Sequence, residues 1–151
     1  MIALEIESKG SFMKKLLAEE YFDNYYLKEA VISTFTRFEI SGERNSAYYS
    51  DEELAAFTAD SAEKHFVLWS EVRKTAYELI KGKRLPVYMH VVLMAPAKLA
   101  PESAGASDEF LLTLRYKDGG LTAVTGVNHK AFPFDKASER EWDEKIKGLL
   151  A

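Results

Sequence analysis

Asp118-Gly119 constrains the fold more than any other feature of this sequence. Asp-Gly favours the mirror-image two-residue turn whose twist suits a β-hairpin, and alternating runs, residues 110–117 and 120–127, flank it. Pairing outward from the turn sets Lys117 opposite Gly120 and Tyr116 opposite Leu121. Phe110, Leu112, Leu114 and Tyr116 then share a face with Leu121, Ala123, Thr125 and Val127. The other face collects Thr113, Arg115, Lys117, Thr122 and Gly126, with Leu111 and Val124 as its large apolar members. Both strands put the core on the same side, and a slip of one residue would turn that whole set to solvent. An antiparallel sheet covered on one face follows.

The remaining segments add strands and helices to that hairpin. Ile2, Leu4 and Ile6 alternate with Ala3 and Glu5, which predicts a first strand. Phe12 with Leu16 and Met13 with Leu17 predict a short helix capped by Ser8 or Ser11 and ending near Glu20. Residues 30–40 alternate without a break, Ala30, Ile32, Thr34, Thr36, Phe38 and Ile40 against Val31, Ser33, Phe35, Arg37 and Glu39, and predict one long strand stopped by Ser41-Gly42. Ser50 and Glu53 form a capping box for one or two helical turns. Trp69, Val72, Ala76, Leu79 and Ile80 mark a helix that stops at Lys81-Gly82-Lys83, and Val87 to Ala95 reads as a strand buried on both faces. Residues 97–109 have no period and predict a mobile surface loop. Phe132 and Phe134 around Pro133 predict a short edge strand, and Ser138-x-x-Glu141 caps a last helix striped by Trp142, Ile146, Leu149 and Leu150. The expected fold is α+β: a mainly antiparallel sheet of about six strands with three amphipathic helices on one face, in a single domain over residues 1–151.

Composition narrows the function classes. The 151 residues carry 20 Lys+Arg against 24 Asp+Glu, a net charge of −4, so a surface built to grip nucleic acid is not expected. There is no cysteine, which excludes disulfides, thiol nucleophiles and cysteine-ligated metals. The start, MIALEIESKG, places Glu5 and Glu7 where a secretory signal needs an apolar run, and the longest apolar run, Val91 to Ala97, is far short of the ~20 residues that span a bilayer. A cytoplasmic protein with no membrane partner is the expectation.

The segments IALEIESKGSFMKKLL, EAVISTFTRFEISG, LWSEVR, LIKGKRLP and RYKDGGLTAVTG, in that order, resemble a family of small bacterial cytoplasmic proteins containing a domain of unknown function. The resemblance spans nearly the whole chain. It implies one intact domain and no activity, substrate or catalytic residue to carry over, with residues 97–109 the part that varies most.

Few residues are spaced for chemistry. His65, His90 and His129 are scattered with no His-x-x-x-His or Glu-x-x-His pair, so no metal site and no cofactor are expected. Lys81-Gly82-Lys83-Arg84 lacks the spacing of a phosphate cradle, and its cations suit the negative end of a helix dipole. His129-Lys130 reads as a strand end in solvent. His90 shares a strand face with Tyr88, and a neighbouring hairpin would add Thr113 and Arg115, making a polar face able to hold a small anion. Tyr21, Phe22, Tyr25 and Tyr26 fit neither strand nor helix period and predict a protein-contact surface, which Tyr48-Tyr49 would extend. The expected function is therefore a non-catalytic binding or assembly module that pairs with itself, as a homodimer, or with another protein. The alternative is a small enzyme or small-anion-binding protein that uses the face around His90 and Arg115.

Overall fold

In a computed structural model of the protein, residues 1–58, 65–82, 84–101, 108–129 and 136–150 are described. The chain runs β1 (Ala3–Ile6), α1 (Lys9–Leu17), β2 (Tyr26–Ser33), β3 (Arg37–Ser41), α2 (Asp51–Thr58), α3 (Trp69–Ile80), β4 (Tyr88–Met94), β5 (Glu109–Lys117), β6 (Gly120–Asn128) and α4 (Lys136–Leu150). The six strands form one sheet in the order β1-β6-β5-β4-β2-β3, every pair antiparallel, so the protein is α+β. The hairpin has the predicted register, Lys117 against Gly120 and Tyr116 against Leu121. Asp118 and Gly119, both at positive φ, make its turn.

One face of the sheet carries the core. Ala30, Ile32, Met89, Val91, Leu93, Leu112, Leu114 and Leu121 are buried there beneath Phe12 and Leu16 of α1, Trp69 and Ala76 of α3, and Trp142 and Ile146 of α4. Full burial of such side chains contributes roughly 1.5–3 kcal/mol each. The two indoles also anchor their helices: Trp69 donates its Nε1–H to the Leu16 carbonyl at 2.8 Å, and Trp142 donates to that of Leu111 at 2.9 Å. The short α2 contributes no residue to this buried set. It begins with the predicted capping box, Ser50 N–H to Glu53 and Glu53 N–H to Ser50, both at 3.1 Å.

Several expectations need correction. The predicted long strand 30–40 is a hairpin, β2 and β3, because Ser33 pairs with Arg37 across the turn at Thr34–Thr36. No Gly or Pro marks that turn, so the alternation ran through it. Gly42 does more than stop a strand: a Cβ there would lie 1.6 Å from the Leu27 carbonyl oxygen, so only glycine lets the chain pass β2 at this point. β4 is buried on both faces only at its end, Leu93 and Met94; before it the half-buried Tyr88, His90 and Val92 alternate with the fully buried Met89 and Val91. Ser138 does not cap α4, which already includes Lys136, and its side chain is buried in the first turn. Residues 97–109 are anchored at both described ends: Leu99 packs on the core, Pro101 is buried, and β5 begins at Glu109. The edge strand expected around Phe132 and Phe134 lies outside the described residues.

Candidate functional site

The residues of the face opposite the core follow from strand register; at one end Tyr26 and Met94 are buried there, with Ala56 and Phe57 of α2 beside Tyr26. One row crosses all six strands: Glu39 of β3, Val31 of β2, His90 of β4, Arg115 of β5, Thr122 of β6 and Glu5 of β1. The next row places Ser41, Glu29, Val92, Thr113, Val124 and Ala3 side by side. Tyr88, His90, Thr113 and Arg115, grouped from the sequence, therefore do share one face, with His90 directly opposite Arg115. Sequence reasoning missed Glu29, Arg37, Glu39 and Ser41, because only the pairing of β2 with β4 brings them beside His90.

His90 is the centre of this arrangement. Its side chain is 17% exposed, with Nε2 3.4 Å from Oε1 of Glu29. The Tyr88 ring lies parallel to the imidazole with centroids 6.4 Å apart. Nδ1 is buried and has no hydrogen-bond partner among the described residues. Beside it opens a cleft of about 600 Å³ lined by Glu29, Val31, Arg37, Glu39, Ser41 and Tyr88. At the rim Arg37 donates its Nε–H to Glu39 at 2.9 Å.

The aromatic group 21–26 is placed otherwise than expected. Phe22, Tyr25 and Tyr26 are buried, and Tyr21 alone is exposed, at 40%. The irregular turn between α1 and β2 frees these rings from any helix or strand period, so Phe22 turns inward against Phe12 and Tyr25 while Tyr26 starts β2. Tyr21 lies at the surface with its hydroxyl donating to the Leu149 carbonyl at 2.7 Å. The four rings do not form a contact surface. Burial, reinforced by Tyr21, pushes the Tyr25 phenol above its ordinary pKa.

Two further polar clusters were not legible from the sequence. The Arg44 guanidinium, 5% exposed, forms a two-pronged bond with Glu71 at 3.1 and 3.0 Å and lies 4.1 Å over the Phe57 ring. Burial disfavours its charge, but Glu71 and Tyr49 outweigh burial and raise its pKa. Glu71 is shifted down: burial opposes its charge, and Arg44 with the Leu68 N–H overcomes it. His129, far from standing in solvent, is 8% exposed between Asp108 on Nδ1 at 3.1 Å and Glu139 on Nε2 at 3.3 Å. Burial lowers its pKa, and the two carboxylates more than reverse this. Both ring nitrogens are thus occupied in holding β6, the start of β5 and α4 together.

Among the described residues no group of three or more His, Cys, Asp or Glu is arranged to hold a metal ion, and no described helix is long and apolar enough to cross a membrane. No curated protein and no solved structure matches the chain. The model of a family of unknown function, DUF5721, matches residues 15–151, nearly the whole chain, and the protein belongs to that family.

Proposed function

We propose that the protein is a non-catalytic binding module that receives a small ligand on the sheet face opposite the core, in the cleft beside His90. The observation that carries this reading is the unpartnered Nδ1 of His90. Leaving a buried polar atom without a hydrogen bond costs about 1–3 kcal/mol, a cost that a ligand atom would remove once the His90 ring turns Nδ1 into the cleft. The cleft supports the same reading, since its volume of about 600 Å³ suits a small molecule. Arg115, opposite His90 on the β5 side and exposed, stands outside the cleft's lining and offers a cation to an anionic group that extends past His90. His129 is no competitor because carboxylates take both of its nitrogens. A nucleophilic reading would need a hydroxyl bonded to His90, and among the described residues none is.

Inorganic phosphate is the first probe. Titrated into protein with ¹⁵N-labelled histidine, it is expected to shift the His90 Nδ1 resonance saturably while those of His65 and His129 stay in place. The His90→Gln and Arg115→Ala variants should lose the response. No shift, or a parallel non-saturating drift of all three histidines, overturns anion binding at this face.

A further inference from the structure

We infer that the open edge of β3 pairs with β3 of a second copy of this chain, joining two sheets into one continuous antiparallel sheet. Only alternate residues of an antiparallel strand bond to a given neighbour. In β3 the phase is fixed by two bonds, Gly42 N–H to the Lys28 carbonyl at 2.9 Å and Thr34 N–H to the Thr36 carbonyl at 3.0 Å. Thr36, Phe38 and Ile40 therefore turn their backbone groups to β2, and Gly42 turns its N–H to β2 and its carbonyl to Val67 on the same side. Arg37, Glu39 and Ser41 turn theirs to the open edge, where β3 is last in the strand order.

That edge is complementary to itself. With a two-fold axis at Phe38, antiparallel pairing sets Arg37 against the partner's Glu39 and Glu39 against the partner's Arg37, both at positions whose N–H and C=O groups are free to bond across the edge. In the single chain Arg37 and Glu39 bond to each other with side chains 59% and 68% exposed, a geometry that contributes little in water. Pairing exchanges it for two cross-strand ion pairs flanked by backbone hydrogen bonds.

The apolar residues agree. Phe38 would meet the partner's Phe38 at the axis, in a non-hydrogen-bonded pair, where side chains approach most closely. Phe35, 91% exposed in the turn before β3, packs 5.7 Å from the Phe38 ring and would stand beside that pair. The other edge offers no such match: Thr125 N–H bonds to the Ile2 carbonyl at 2.9 Å, so β1 presents Ala3 and Glu5, with no cation to face a copy's glutamate.

Pairing also extends the cleft. Arg37, Glu39 and Ser41 form its β3 wall, so the partner's Arg37 and Glu39 would continue that wall across the axis. The pairing stands apart from ligand binding and is read by mass, not by ligand response. Sedimentation equilibrium of the wild type is expected to give twice the chain mass of 17.1 kDa. Glu39→Arg alone and Arg37→Glu alone each set like charges across both pairs and should give monomers with unchanged far-UV circular dichroism. The Arg37→Glu, Glu39→Arg double variant restores complementarity and should dimerise again. A monomeric wild type, single variants that stay dimeric, a double variant that stays monomeric, or a ladder of higher masses would each overturn the inference.

Discussion

Trp142 of α4 donates its indole N–H to the carbonyl oxygen of Leu111, a residue of β5 whose side chain lies on the opposite face of the sheet from the ring. Trp69 does the same between helices, with Leu16 as acceptor. Both rings are fully buried, so each joins the largest apolar surface available to a side chain with one directional bond. A helix held only by apolar contacts can slide along its groove; one held by an indole bond has its depth and rotation set.

For Trp142→Ala the expected loss is about 3–5 kcal/mol, measured from urea unfolding, since the transfer and cavity terms add. Trp142→Phe keeps most of the apolar surface but leaves the Leu111 carbonyl without its donor, and should cost about 1–3 kcal/mol. The wild-type emission should be that of indoles shielded from water. Near wild-type stability in either variant would show that α4 is not docked through this ring.

The Arg44 pair with Glu71 ties the segment after β3 to the first turn of α3. Removing one partner of a buried ion pair strands the other, at a cost of about 3–5 kcal/mol. Arg44→Gln should cost less, about 1–2 kcal/mol, because the carboxylate it strands, Glu71, is 39% exposed and keeps access to water. Arg44→Lys should not restore stability, since an ammonium cannot make the two-pronged bond or replace the guanidinium 4.1 Å over the Phe57 ring. Full rescue by lysine in a urea titration would show that charge alone matters there.

How far the sequence could be read depends on whether a feature is local or non-local. The β5–β6 register was legible to the residue because Asp118-Gly119 fixes it from within. The helix over 69–80 was legible because Trp69, Val72 and Ala76 share one stripe. The β2–β3 turn was not, because Thr34, Phe35 and Thr36 continue the alternation of the strands around them. Of the candidate site, Tyr88, His90, Thr113 and Arg115 followed from period two and the placement of the hairpin beside β4, while Glu29 and Glu39 needed the strand order. His129 gave no signal, since Asp108 and Glu139 lie 21 and 10 residues away in the chain.

Gly42 tests the backbone geometry directly. Its Cβ would meet the Leu27 carbonyl oxygen at 1.6 Å, backbone that cannot swing aside, so Gly42→Ala should cost at least about 2 kcal/mol by forcing β2 and β3 apart. Gly126 has nothing within 4 Å of its Cβ position, and Gly126→Ala should be neutral or slightly stabilising. Urea midpoints of the two variants give the comparison, and equal midpoints would contradict the close approach at Gly42.

His129 makes stability depend on pH in a definite direction. Asp108 and Glu139 favour the imidazolium over the neutral ring despite burial, so the folded protein holds this proton more tightly than the unfolded chain, whose imidazole titrates near about 6.5. A proton bound more tightly in the folded state stabilises it wherever the group is charged, and the contribution is lost as the proton leaves. The stabilisation from His129 is therefore fully present below about pH 6.5 and declines as pH rises through the raised folded value. His129→Gln keeps a similar shape without the charge and removes this term at every pH. The gap between the urea midpoints of wild type and His129→Gln should be wider at pH 6 than at pH 9. Since the carboxylates come from the start of β5 and from α4, hydrogen exchange should show the loss first at those two elements. A gap that stays constant or widens toward pH 9 would mean that the imidazole is held neutral between its two carboxylates.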